Sequence, residues 1–184
     1  MWLLTENRSA RIRRFGKPVA AVLVLAALAA GCGFQPAGRA QLPAAMHSTY
    51  IDSSQPYGDF ENMLRRTLAQ NGVTVVEDRA QASAVLQIMR ATSTRRVLVA
   101  DVNGRSAEYV LNYRVRFQLL DGRGQELLAP QTLRLSRDYA YSVTVELGVA
   151  NEVDQVLANL QQEATRLILF RLEALRRNEA ATEH

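Results

Sequence analysis

"YVLNYRVRFQLL", residues 109–120, is the stretch whose reading decides the fold. Tyr109, Leu111, Tyr113, Val115, Phe117 and Leu119 share one parity, while Asn112, Arg114, Arg116 and Gln118 share the other. Successive side chains of an extended chain point to opposite faces, so this alternation describes a strand with one face packed and the other polar.

The flanks extend the pattern. "DVNGR" (101–105) and "DGRG" (121–124) hold turn residues on either side of that strand. Beyond them lie a long strand from Ala84 to Ala100, broken near "TSTRR" (92–96), and a strand in which Leu133, Leu135, Arg137, Tyr139 and Tyr141 alternate. Upstream, Thr49 to Asp52 and Val73 to Val76 read as extended pieces around "YGDFENMLRRTLAQNG" (57–72). In that segment Phe60, Met63, Leu64, Thr67, Leu68 and Asn71 recur at helical spacing, with Asp59 placed as N-cap and Gly72 as the stop. A second helix is predicted from Val149 to Arg177, its apolar side built from Val149, Val153, Val156, Leu157, Leu160, Ala164, Leu167, Ile168 and Leu175. Glu152 and Asp154 at its start and Arg171, Arg176 and Arg177 at its end suit the helix dipole. This order predicts an α+β chain: a two-layer sandwich of a mostly antiparallel or mixed four- to five-stranded sheet, with two amphipathic helices on one face. The other face must meet water or a partner.

The N-terminal region has a different character. Arg8, Arg11, Arg13, Arg14 and Lys17 precede an apolar run from Val19 to Ala30, and small residues lead to Cys32, the chain's single cysteine. That order is a secretory signal. As a helix the run spans about 18 Å, against the roughly 30 Å of a bilayer core, so it is too short to serve as a permanent span. A lone exported thiol has no disulfide partner, and acylation accounts both for its solitude and for its position. "LAAGCGFQP" (28–36) resembles the lipobox of bacterial lipoproteins, with Ala29 where leucine is usual; Gly33, not Asp, follows the cysteine, which implies passage to the outer membrane. The expected organisation is a signal peptide over 1–31, a lipidated tether over 32–47, a domain over 48–177 and a disordered tail over 178–184.

Five of the 22 Lys+Arg and one of the 18 Asp+Glu lie ahead of Cys32, which leaves seventeen of each. The mature chain is therefore formally neutral, and the basic balance that would suggest nucleic acid belongs to the signal. Its cations are all arginine, the better fork for carboxylate or phosphate. Catalytic sets are not in evidence: His47 falls in the tether and His184 ends the chain, Cys32 is consumed by lipid, and Ser136 and Asp138 have no histidine beside them. The sequence offers neither a metal set nor a glycine-rich phosphate loop, so no cofactor is expected beyond the lipid.

"GCGFQP" (31–36), "NGRSAEY" (103–109), the alternating strand, "SRDY" (136–139) and "ANE" (150–152) ahead of a long helix together resemble the LptE family of lipopolysaccharide-assembly lipoproteins, also called RlpB. The resemblance runs from Cys32 to about Leu175. It implies a non-enzymatic plug inside the outer-membrane β-barrel LptD, one that helps the barrel assemble and binds lipopolysaccharide, held by an N-acyl and S-diacylglycerol lipid on Cys32. Barrel-interface candidates are then Asn112, Arg114, Arg116 and Gln118, since a polar lumen would meet that face. Lipopolysaccharide candidates are Arg95, Arg96 and Arg105 around the long hairpin, where fixed positive charge adjoins apolar side chains. The family's basic residue ahead of this Asn-Gly turn is Val102 here, and Arg105 lies two residues past Asn103. The alternative is a lipoprotein auxiliary to an ABC-type lipid transporter, sharing signal, tether and sandwich; a solvated face and an edge kept soluble by arginines are the plain readings of the same charges.

Overall fold

The computed structural model describes residues 40–100, 106–142 and 149–182. These residues belong to one unit, Arg39–His184. Its elements are β1 (Ser48–Ser53), α1 (Asp59–Gln70), β2 (Thr74–Val76), β3 (Ala84–Ala100), β4 (Ser106–Asp121), β5 (Glu126–Ser142) and α2 (Val149–Thr182), with short 3-10 turns at Ala44–His47 and Arg79–Gln81. The sheet order is β2-β1-β3-β4-β5. β1 runs parallel to both β2 and β3, because α1 and then the second 3-10 turn each return the chain to the end where β1 begins. β3, β4 and β5 form an antiparallel meander. The result is the expected mixed α+β sandwich with five strands.

The alternation of β4 sorts its side chains as the sequence requires. Leu111, Tyr113, Val115, Phe117 and Leu119 are buried, whereas Arg114 and Arg116 are exposed. On the packed side they join Leu86 and Ile88 of β3 and Leu133 of β5, and both helices close over them. α1 contributes Phe60, Leu64 and Leu68, the Phe60 ring meeting Tyr113 edge-on at 5.8 Å between centroids. α2 contributes Leu160, Ala164, Ile168 and Leu172 at four-residue intervals, all fully buried. Its neighbour Leu169 is also buried, which widens the apolar stripe beyond the positions the periodicity identified.

Four expectations are corrected. Gly58, not Asp59, is the N-cap of α1; its extended backbone (φ −67°, ψ 162°) turns the chain in without a side-chain bond, and Asp59 becomes the first helical residue, still favourably placed at the positive end of the dipole. Gly72 does stop the helix, at φ 89°, with its N–H donating to the Ala69 carbonyl. α2 continues to Thr182, so the tail expected to be disordered from 178 is helical there, and the last turn carries no basic residue. The tether joins the domain before residue 48. Met46 is fully buried, Ala40 and Leu42 pack against the core, the Ala40 N–H donates to Asn71 Oδ1 at 2.7 Å, and Arg176 donates to Gln41. A 3-10 turn has neither the helical nor the strand period, which hides this segment from pattern reading.

The fourth correction concerns the long strands. "TSTRR" does not break β3: Thr92 to Arg96 pair continuously with Arg114 to Val110. The interruption in the sequence is a change of parity, since register shifts between Ile88 and Arg90 and between Val97 and Val99 each insert one residue. β5 begins at Glu126, seven residues before the alternation that announces it, and includes Pro130. An edge strand tolerates a proline because its outer N–H has no ladder partner to lose.

Candidate functional site

Both helices cover one face of the sheet, and no described element covers the other. Residues paired across an antiparallel ladder share a face, so the registers map that open surface. Arg116 of β4 stands opposite Arg90 of β3 and Thr132 of β5; Arg114 stands between Thr92 and Arg134; Asn112 stands between Thr94 and Ser136. Arg96 follows, opposite Val110. Five arginines therefore share this face, two pairs of them directly opposed. Directly opposed like charges oppose sheet formation. Among the described residues, none of the five forms an ion pair with an acid; the ion pairs are Arg65 with Glu61 and Glu77, Arg79 with Asp52, and Arg137 with Glu163. Of the acids on the same face, Asp138 flanks Val110 on the side away from Arg96, Glu108 lies one row further, and Asp52 belongs to the part nearer β1. Thr94, Arg96, Asn112, Arg114 and Arg134, with Tyr113 and Leu135, line a groove of about 260 Å³.

The part of the open face nearer β1 is organised differently. The Gln118 amide donates to Gln87 Oε1 at 2.6 Å, the Gln87 amide donates to Asp52 Oδ2 at 2.9 Å, and Arg79 lies 3.6 Å from the same carboxylate oxygen. This ladder crosses three strands and satisfies itself. Of the four expected interface residues, Gln118 thus belongs to an internal ladder, while Asn112, Arg114 and Arg116 stand with Arg90, Arg96 and Arg134. Arg90 and Arg134 were not singled out in the sequence, and Arg96 was assigned there to the hairpin; on β3 the face becomes readable only once the bulge between Ile88 and Arg90 is placed, and on β5 Arg134 takes the parity opposite Leu133 and Leu135.

The three hairpin arginines do not form one cluster. Arg95 opposes Leu111 and so lies on the helix side of the sheet, its guanidinium 5.0 Å from the centre of the Tyr109 ring, which stacks on Tyr139 at 5.6 Å. Arg96 lies on the opposite, open face. Arg105 lies outside the described residues, as do Cys32 and the Asn-Gly turn. Beside Arg95 and Arg96, Val97, Leu98 and Val99 are each more than half exposed around the second register shift. Three consecutive exposed aliphatics are unusual on a solvated strand.

A cleft of about 500 Å³ opens at the start of α1, lined by Ser53, Asp59, Glu61, Ser93, Tyr113 and Gln161 among others. Burial pushes the Tyr113 phenol well above the usual tyrosine range, partly opposed by its hydrogen bond with Gln161, so it is neither a base nor a nucleophile at neutral pH. Glu61 is held by Arg65 at 3.0 Å. Among the described residues no three His, Cys, Asp or Glu side chains converge as a metal set, and no helix is long and apolar enough to cross a membrane.

A family model described as lipopolysaccharide-assembly, LptE, matches residues 46–172. The chain belongs to the LptE family. That match begins at the buried Met46 and ends at the buried Leu172, so it spans the whole packed core. The LPS-assembly lipoprotein LptE of Yersinia pestis is 34% identical over 144 residues, 78% of this chain and 69% of the relative. Among solved structures, lipoprotein B from Nitrosomonas europaea superposes with a TM-score of 0.61 at 28% identity, covering 81% of this chain and 91% of that one. The rare lipoprotein B from Shewanella oneidensis gives 0.60 at 25% identity, covering 74% and 99%. The role of the LptE family is that of a lipoprotein in lipopolysaccharide assembly, which is not an enzymatic one.

Proposed function

We propose that this chain is an outer-membrane lipoprotein, acylated on Cys32 after removal of residues 1–31, whose domain sits in the lumen of the LptD β-barrel, helps that barrel assemble and takes part in the transport and insertion of lipopolysaccharide. The observation that carries the reading is a family match across the whole core of a sheet that leaves one polar, arginine-bearing face uncovered. A barrel lumen is lined by polar side chains, and such a face finds hydrogen-bonding partners there without burying apolar area. The end of the β3–β4 hairpin suits the lipid: Arg95 and Arg96 supply charge for phosphates, and Val97 to Val99 supply apolar contact, with Arg105 as a further cation on the connecting segment.

The test is a photo-crosslinker placed at Arg114 or Arg116 and, as control, at Leu111, which is buried beneath the helices. The first two capture LptD and the third reacts within its own domain; equal, weak labelling from all three overturns the barrel assignment. Depletion of the protein lowers the amount of correctly assembled LptD. Cys32→Ser abolishes lipid labelling; a normally labelled, membrane-sedimenting variant would contradict the anchor.

A further inference from the structure

We infer that the arginine field of the open face, namely Arg90, Arg96, Arg114, Arg116 and Arg134, recognises carboxylates carried by a strand surface of its protein partner. The inference rests on the lumen reading above and assigns that interface its chemistry. Three observations lead to it. The field is uncompensated: two arginine pairs face each other across adjacent strands, at the about 5 Å separation of opposed β-carbons, with no acid in ion-pair contact among the described residues. It is extended, crossing three strands, and carries a groove of about 260 Å³. The side chains interleaved with it are mostly polar, Thr92, Thr94, Asn112, Thr132 and Ser136, with Val110 opposite Arg96 and the exposed Met89 next to Arg90 as isolated apolar exceptions, while the run of exposed aliphatics lies at Val97 to Val99.

Those features select between anions. A phosphorylated lipid needs broad acyl contact next to its phosphates, and around Arg114, Arg116 and Arg134 the neighbouring side chains are threonine, asparagine and serine; an acidic protein surface needs only charge and hydrogen bonds. Spacing agrees with a strand as the partner. Arg114 and Arg116 are two residues apart, about 7 Å along the strand, and lumen-facing side chains of a barrel strand repeat at the same interval. Acids at alternate positions of such a strand therefore present carboxylates in the rhythm of the arginines, and guanidinium forks bind them in parallel pairs. Fixed charge that costs the free domain stability is thereby repaid in the complex, which also makes an uncharged or basic surface a wrong partner.

The experiment uses the full-length lipoprotein expressed as the sole copy in cells, affinity-purified at 0.1 and 0.5 M salt with LptD quantified in the eluate. Compared are the parent, Arg114→Glu/Arg134→Glu, Arg114→Lys/Arg134→Lys, and Gln118→Glu as a charge control outside the field. The expected result is a loss of at least tenfold in retained LptD for the double glutamate variant at 0.1 M salt, a smaller deficit at 0.5 M as screening weakens the repulsion, and near-parent recovery for the double lysine variant. Thermal unfolding of each purified variant identifies any that fails to fold, and for such a variant the lysine pair together with Arg90→Glu supplies the same comparison. Parent-level retention of LptD by a folded glutamate variant overturns the inference while leaving the barrel reading intact; a parent that retains no LptD overturns both. Retention unchanged by the glutamates, with loss of phosphorylated-lipid binding measured on vesicles containing lipopolysaccharide, assigns the field to the lipid and likewise overturns the inference.

Discussion

The two faces of the sheet are built from the same strands, yet they obey different rules. The helix-covered face carries Leu86, Ile88, Val115, Phe117 and Leu119 with almost no solvent contact, so its energetics are those of burial and close packing. The open face carries opposed arginines without acids in contact, an arrangement that subtracts from the stability of the free domain. Stability is concentrated on the covered side, and the open side is the one proposed for recognition. One strand can serve both because the pleat keeps its two sets of side chains apart.

The largest effect comes from breaking the covered face. Phe117→Ala removes a fully buried ring and is expected to cost about 3–5 kcal/mol, read as a lowered urea midpoint, whereas Arg116→Ala, its neighbour on the open side, stays within about 0.5 kcal/mol of the parent. Similar losses from the two would mean that the faces are not energetically distinct.

The next effect is alkaline. Burial raises the Tyr113 pKa above its unfolded value near 10, so the folded chain keeps a proton that the unfolded chain loses. The resulting stability is fully present below pH 10 and declines as pH rises from there toward the folded value, by at most about 1.4 kcal/mol per pH unit. Tyr113→Phe removes that slope; unfolding followed between pH 9 and 11 should be flatter in the variant, and an identical slope would refute the assignment.

Within the open face, the ladder near β1 sharpens the comparison further. Gln87→Ala breaks both of its links, to Asp52 and Gln118, and is expected to destabilise by about 1–2 kcal/mol. The smallest effect has the opposite sign: Arg134→Thr relieves one opposed arginine pair and should stabilise the isolated protein by about 0.2–1 kcal/mol while weakening its hold on the partner. Losses of both stability and partner binding would place Arg134 with the ladder and not with the arginine field.

How much of this was legible varies with the locality of the signal. The apolar face of β4 and the stripes of both helices could be read directly, because neighbours in sequence report them. Arg114 and Arg116 were legible as a polar face for the same reason. Arg90 and Arg96 were not, since their place on that face depends on the β3 bulge, which leaves no periodic trace, and the opposition of Arg134 to Arg114 depends on the register between strands. Arg95 and Arg96 looked like one basic pair, and the pleat sends them to opposite sides. The burial of Met46 was hidden in a segment with no period at all.

By itself the sequence determined the class of fold and the single-sided sheet, and it raised the expectation of a signal ending at the lone Cys32, because composition, period and spacing are local properties of the chain. Only the tertiary structure decided the strand order, the parallel pairing of β1 with both β2 and β3, the docking of the segment from Ala40 onto the core, and the gathering of five arginines from three strands onto one face. Those are relations between residues distant in sequence, set by which surfaces pack and in what register, and no window along the chain contains them.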